Sequence, residues 1–524
     1  MPGRVVMVQG AMSSVGKSLL VAALCRIFAQ DGLRVAPFKA QNMALNSFAT
    51  RDGREVGRAQ AMQAEAAGVD VTVEMNPVLL KPEADAVAQI VVLGRPWERL
   101  AAQDYFRRRQ ELWQIVTGSL DALRATYDLV VIEGAGSPAE LNLKRGDLVN
   151  MAIAAYADAP VLLAGDIDRG GVFAQLLGTL ALLEPDERAR VRGLIVNKFR
   201  GDIALFRDGV EILEARGGVP VLGVVPFIRD LRIADEDSVA LDDRSENQES
   251  RTKDQGAADG SRFSFLGSGA ASPIDIVVIR LPHISNFDDF DPLRAEPDVT
   301  VRFVDRADEL GWPDLIVLPG TKTTVADLEW LRARGLADGI IALAQAGAAL
   351  LGVCGGYQML GQTICDPLGV ESAVTETAGL GLLPIVTSFA AAKQTVRSRG
   401  VVVHDASLFR GARQIDVAGY EIHMGQTWLV GDGAPLVHLT RRGEHATDDL
   451  DGLASPDGWI AGSYLHGLFD NDALRHVMLD NLAERKGVVR APSRARFDRA
   501  ADYDRLAATV RANIDMELLR QIIG

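Results

Sequence analysis

Two short stretches of this chain hold residue types whose chemistry depends on how the backbone presents them. The first, GAMSSVGKS (Gly10–Ser18), follows an apolar run and opens a helix-like segment. Gly10 and Gly16 let the backbone curl, with Ser13 inside the curl, until its N–H groups converge on phosphate oxygens. The helix N-terminus adds a favourable dipole. Lys17 supplies positive charge to the β- and γ-phosphates, and the Ser18 hydroxyl can ligate Mg²⁺, so the ligand expected is ATP. The second stretch, GVCGGYQML (Gly352–Leu360), sets Cys354 between glycines where a strand turns into a helix. That sharp bend exposes a nucleophile, and the helix N-terminus behind it favours thiolate.

Each stretch needs partners from elsewhere in the chain. Glu133, ending LVVIE, is placed to face the phosphates from a neighbouring strand and to hold Mg²⁺ directly or through water. Asp166 and Asp168 in GDIDRGG are further acidic candidates, and Lys39, closing the second strand, would steady a transferred phosphoryl group. A thiol nucleophile needs a base. His466 in GSYLHGLFD follows the strand-like run WIAGSYL and is the preferred base, with His423 in YEIHMG as its competitor. Gly320 and Thr321, at the end of DLIVLPG, together with Gly355, are placed to offer N–H groups to an oxyanion.

The elements that must position these groups are short runs of Val, Ile and Leu. In the first half they are Val5–Gln9, Leu33–Lys39, Leu129–Glu133, Pro160–Asp166, Gly193–Lys198 and Pro220–Phe227, separated by helix-like segments such as Lys17–Gln30 and Glu55–Ala67. Runs without strict alternation suit strands buried on both faces of a parallel sheet. The pattern stops in the polar stretch 241–272 and restarts with Asp275–Leu281, Val299–Val304, Asp314–Gly320 and Ala348–Cys354. The fold class expected is therefore α/β. It comprises a P-loop doubly wound parallel-sheet domain (1–240), a flexible linker (241–272), a second α/β domain (273–490) and a helical C-terminal extension (491–524) capping that second domain.

A chain of 524 residues is too long for one core and suggests two or three domains. Its formal net charge of −15 gives no reason to expect nucleic acid or an anionic membrane as partner. Three cysteines (Cys25, Cys354, Cys365) cannot form a disulfide framework at this size, which fits a reducing compartment. No signal-peptide layout is seen at the N-terminus, and the longest apolar candidate, Met151–Gly165, is broken by Asp158 and Pro160. The expected location is the cytoplasm.

The spacing of Gly10–Ser18, one residue longer than the common P-loop, is similar to that of dethiobiotin synthetase and its relatives. Further motifs extend the likeness over nearly the whole chain: PFKAQNMALNS (Pro37–Ser47), MNPVLLKP (Met75–Pro82), EGAGSPAELNL (Glu133–Leu143), GDIDRGGVFA (Gly165–Ala174) and NKFRGD (Asn197–Asp202). RLPHISNFDDFDPL (Arg280–Leu293), VLPGTKTT (Val317–Thr324), GVCGGYQMLG, GYEIHMGQT (Gly419–Thr427) and YLHGLFD (Tyr464–Asp470) complete the series. In this order they resemble the cobyric acid synthase family. The resemblance implies ATP- and glutamine-dependent amidation of the b, d, e and g carboxylates of adenosylcobyrinic a,c-diamide, a corrinoid, giving adenosylcobyric acid in cobalamin biosynthesis. It also implies a second domain like class I glutamine amidotransferases, in the branch shared with cobyrinic acid a,c-diamide synthase.

That wider class usually carries His-Pro-Glu, whereas His466 is followed by Gly467 and Leu468, which points to a Cys354–His466 dyad. Glu421 or a backbone carbonyl is then the expected orienting group for the imidazole. Ammonia released from glutamine at the thiol would displace phosphate from a carboxylate activated by ATP. Competing readings are a sister amidotransferase acting on cobyrinic acid or a cell-wall precursor, a ParA-like switch ATPase, and a regulatory protein with an inactive glutaminase domain.

Overall fold

Apolar runs without polar alternation have to be covered on both faces, and the strands of this chain are. Val6, Met7 and Val8 of the first strand, like Leu129–Ile132 and Val161–Ala164, expose essentially nothing. The structure, a computed structural model, describes residues 2–84, 87–101, 104, 107–229, 231, 233, 273–490 and 496–524. The expected linker, 241–272, lies outside the described residues.

The chain divides into two units. The first comprises Met1–Ala44, Arg54–Glu236 and Asp498–Gly524. Its main sheet has six strands in the order Val221–Pro226, Val191–Phe199, Val161–Asp166, Arg4–Gly10, Leu129–Glu133, Val35–Phe38. All its pairings are parallel. Arg4–Gly10 lies centrally, with Glu133 in register beside Val8, so the loop after Gly10 and the end of Leu129–Glu133 open at the same edge. Ligands of open α/β sheets collect at such carboxyl ends. Helix Lys17–Gln30 buries Leu20, Leu24, Ile27 and Phe28 in the core. A four-stranded sheet, Gln41–Met43, Val78–Ala84, Val87–Val92 and Arg95–Ala101, adds to this unit. The expected helix Glu55–Ala67 begins only at Arg58, because Glu55–Gly57 is extended.

The C-terminal segment requires a correction. Helices Arg499–Asn513 and Met516–Ile523 belong to the first unit, not to the second as expected. Tyr503, Leu506, Ala507 and Val510 join the core cluster of Leu24 and Phe28. Asp504 pairs with Arg26 at 2.8 Å and Arg511 with Asp31 at 2.8 Å. Two of the charges that gave this segment its polar look thus pair with the first helix and with the residue that caps it, and Arg505 pairs with Asp502 within the segment.

The second unit comprises Leu45–Gly53 and Asp237–Phe497. Its sheet is parallel through Val299–Val304, Ile274–Ile279, Leu315–Leu318, Ala349–Val353 and Ile460–Ser463. It continues antiparallel through His445–Ala454, Ala434–Arg442 and the long strand Ile385–Val402, which also pairs with Asp416–Leu429. Ala349–Val353 and Ile460–Ser463 are neighbours, which brings the residues that follow them, Cys354 and His466, to one end of the sheet. Among the described residues, no helix is long and apolar enough to cross a membrane.

Candidate active site

In the first unit the loop after Arg4–Gly10 closes on itself for steric reasons. A Cβ at Gly10 would come within 2.7 Å of Met12 O and Val15 Cγ2 and 3.0 Å of Lys17 Nζ. Gly16 caps the helix at φ 91°, and a Cβ there would sit 2.5 Å from Asn197 Nδ2. Only glycine satisfies both positions. Ser13 lies exposed on the loop. Lys17 Nζ donates to the carbonyls of Met12 (3.3 Å) and Gly136 (3.1 Å), while Ser18 Oγ donates to Glu133 Oε1 at 2.9 Å. The loop is held from behind: Asn197 Nδ2 donates to Val15 O (2.7 Å) and Lys198 Nζ to Ser14 O (2.6 Å).

Glu133 is fully buried and is the hub of this site. Besides Ser18 it takes an ion pair from Lys39 at 2.9 Å and a hydrogen bond from Gln63 Nε2. A serine hydroxyl and a carboxylate oxygen sharing one point are the hard donors Mg²⁺ takes when phosphate and water complete its shell. The residues present therefore fit that ion. Among the described residues no group of three or more His, Cys, Asp or Glu could hold a metal, so a cation here would depend on the phosphates. Asp166 pairs with Lys198 (2.9 Å) and so braces one of the loop's supports, while Asp168 pairs with Arg200.

In the second unit Cys354 adopts φ 51° and ψ −110°, a left-handed backbone that a non-glycine residue adopts only when its surroundings impose it. Its N–H donates to Ser463 O at 2.8 Å, and its Sγ donates to Ile422 O at 3.5 Å. Small neighbours are obligatory. A Cβ at Gly356 would lie 2.0 Å from Leu318 O, and one at Gly352 would lie 2.7 Å from Tyr357 N. The bend is therefore written into GVCGG by close packing as well as by conformational freedom.

His466 is buried beside this bend. Its backbone exchanges hydrogen bonds with Tyr420 (2.9 and 3.2 Å), and its ring stacks on the Tyr420 ring at 5.2 Å. Asp289 Oδ2 lies 2.7 Å from His466 Nδ1, and Asp289 Oδ1 accepts from Gly467 N at 2.9 Å. Burial disfavours charge on the imidazole. The charge and hydrogen bond of Asp289 outweigh it, followed by the hydrogen bond with Cys354, and push His466 up to about 10.

The orienting carboxylate is thus Asp289, and Glu421 is engaged elsewhere. Glu421 takes Arg442 Nη2 at 3.0 Å and His423 Nε2 at 3.4 Å. Burial would raise its carboxyl, but the His423 hydrogen bond and the Arg442 charge hold it at about 2. His423 also meets Gly425 O at 2.8 Å through Nδ1 and stacks on Tyr464 at 3.8 Å. Asp289 was hidden in plain view: NFDDFDPL offers several carboxylates, and nothing in their spacing distinguishes one.

Gly320 lies against the His466 ring, and Thr321 against Gly355, the residue after Cys354. A Cβ at Gly320 would stand 2.8 Å from His466 Cε1, and one at Gly355 would stand 3.2 Å from Thr321 N. The Thr321 hydroxyl bonds Asp327 (2.5 Å) and His283 O (3.1 Å), while its Cγ2 (2.7 Å) and its N (3.2 Å) both lie toward a Cβ built at Gly355. Gln358, missed in the sequence, is buried on the elbow helix. It accepts from Thr324 Oγ1 and donates to Tyr464 Oη, both at 3.1 Å. A cavity of about 440 Å³ is lined by Tyr357, His423, Gln426, Arg442, Asp451 and Tyr464 among others.

Comparison with known proteins finds a family match for each half of the chain. Residues 6–240 match the CobQ/CobB/MinD/ParA nucleotide binding domain, and residues 275–474 match the CobB/CobQ-like glutamine amidotransferase domain. A cobyric acid synthase of Sorangium cellulosum is 54% identical over 99% of this chain and 98% of its own length. One from Dehalococcoides mccartyi is 49% identical over 99% of both, and one from Roseiflexus castenholzii is 52% identical over 96% of both. With a nucleotide-binding unit and a glutamine amidotransferase unit in one chain, and such identity along its whole length, this protein belongs to the cobyric acid synthase family of amidotransferase enzymes.

Proposed function

We propose that this chain uses ATP and glutamine to amidate the b, d, e and g carboxylates of adenosylcobyrinic a,c-diamide, giving adenosylcobyric acid. Family membership supports the coarser reading, an amidation in cobalamin biosynthesis. The observation that carries the chemistry is the line Asp289–His466–Cys354, with the thiol on a left-handed bend and the imidazole anchored at 2.7 Å.

In the glutaminase half, Asp289 holds His466 in the tautomer whose Nε2 is directed to the thiol. His466 takes the proton from Cys354, and the thiolate attacks the glutamine side-chain amide. The backbone N–H groups of Thr321 and Gly355, with Gly320 leaving room, receive the oxyanion. His466 then protonates the departing ammonia, and water releases glutamate. In the synthetase half, ATP supplies the phosphoryl group that makes a carboxylate electrophilic. The N–H groups of Gly10–Ser18 and the Lys17 ammonium hold the phosphates, Ser18 and Glu133 would hold Mg²⁺, and Lys39 neutralises charge beside Glu133.

A ParA-like switch has no use for the residues of the second unit, and an inactive glutaminase would not retain Cys354, His466 and Asp289 in bonding order. The test is to incubate purified protein with ATP, Mg²⁺, glutamine and candidate corrinoids and to follow amide additions by mass. Four additions to adenosylcobyrinic a,c-diamide are expected. Additions only to cobyrinic acid, or to no corrinoid, would overturn the substrate assignment.

A further inference from the structure

Residues 6–240 match a nucleotide-binding domain, yet Leu45–Gly53 within that range packs with the second unit. The chain leaves the first unit after Ala44 and rejoins it at Arg54. What it touches in between is the scaffold of the candidate base. Asn46, 2% exposed, accepts from Asn286 N through Oδ1 at 2.6 Å, and the neighbouring Ser47 N donates to Asn286 Oδ1 at 2.8 Å. Asn286 adopts a left-handed backbone (φ 54°, ψ 43°) and starts the turn Phe287–Phe290, with Asp289 N donating to its carbonyl at 3.0 Å. Asp289 is the carboxylate on His466.

A second contact reaches the ring that stacks on the same imidazole. The Phe48 ring packs on Tyr420 at 4.7 Å, and Tyr420 stacks on His466. Ala49 buries with Tyr420 and Ile422 in a small cluster, its carbonyl accepting from Arg397 Nε at 2.9 Å. Ile422 is the residue whose carbonyl meets the thiol.

We propose that Asn46 and Phe48 are positioning residues for the glutaminase base, so that this site is completed by a stretch of chain belonging in sequence to the nucleotide-binding domain. Asn46 holds the left-handed turn that aims Asp289, and Phe48 backs the tyrosine that fixes the plane of His466. The inference rests on reading Cys354 and His466 as the glutaminase pair. A displaced support of this kind costs rate more than binding, because geometry at the reacting atoms is what it sets.

The test uses the full-length protein and glutamine hydrolysis. Asn46→Ala is expected to lower kcat about tenfold to a hundredfold, with KM for glutamine little changed and the alkaline limb of the pH profile moved to lower pH as Asp289 loosens. Asn46→Asp, which keeps the acceptor oxygen, is expected to recover most of the rate. Phe48→Leu, which keeps apolar volume but removes the ring, is the second variant should Asn46→Ala not fold, and a several-fold fall in kcat is expected. An unchanged kcat and pH profile in either folded variant overturns the proposal, as does a loss confined to KM. Cys354→Ala, run in parallel, separates the two readings: if it still hydrolyses glutamine, the glutaminase pair itself is misassigned and both fall.

Discussion

Asp289→Asn is the sharpest probe of the glutaminase site. Asparagine keeps the shape but offers one acceptor oxygen where Asp289 uses two, one for His466 Nδ1 and one for Gly467 N, so the substitution removes the charge together with one of the two accepted hydrogen bonds. His466 is held at about 10 against an ordinary 6.5, although burial works against it. At about 1.4 kcal/mol per pH unit, this corresponds to roughly 5 kcal/mol favouring the imidazolium. The Asp289 charge is the largest of the opposing contributions. Losing it from a buried pair costs roughly 3–5 kcal/mol, which would bring His466 down to about 6–8. If the thiolate–imidazolium pair is the reactive form, wild type keeps most of it at pH 9. A variant titrating near 7 keeps about one part in a hundred at that pH but most of it at pH 6.5. Glutamate release measured across this range should therefore show a loss of about a hundredfold at pH 9 that shrinks to less than about twofold at pH 6.5. A profile superimposable on wild type would refute the assignment of Asp289. A uniform loss at every pH would refute the electrostatic argument and leave only geometry.

The remaining expectations address the other groups. Cys354→Ala should abolish glutamine-dependent amidation while activity with high ammonium persists, and hydrolysis of glutamine at the wild-type rate would exclude Cys354 as nucleophile. Lys17→Ala should remove amidation from either nitrogen source, checked by ATP turnover and by mass. Turnover close to wild type would remove Lys17 from the phosphate site. His466→Asn should lower glutaminase activity on the order of 10²–10⁴-fold, and His423→Asn should be milder, because His423 is tied to Gly425 O and Glu421. The reverse ranking in folded proteins would mean that the base has been misplaced.

Much of the site can be read directly from the residues, for local reasons. Gly10 and Gly352 stand where a Cβ would meet atoms two to five residues along the same stretch at 2.7 Å, so the curl of the loop and the bend of the elbow are in part properties of their own short sequences. The strands that carry them announce themselves by unbroken Val, Ile and Leu, and the convergence of Ser18 and Lys39 on Glu133 follows once parallel strands lie in register. Other features depend on long-range packing. His466 and Asp289 are 177 positions apart, and Asp288, Asp289 and Asp291 offer the same chemistry. The phase of a single turn, set by left-handed Asn286 and braced by Asn46, selects the one that reaches the imidazole. The polar look of Arg499–Asn513 likewise shows a helix with an apolar stripe but not its partner. Helix Lys17–Gln30 became that partner because it offers both the apolar groove for Tyr503 and Leu506 and the charges for Asp504 and Arg511. Backbone sterics act over a few residues and are therefore legible along the chain, whereas which polar group finally satisfies which is decided only when distant segments are packed together.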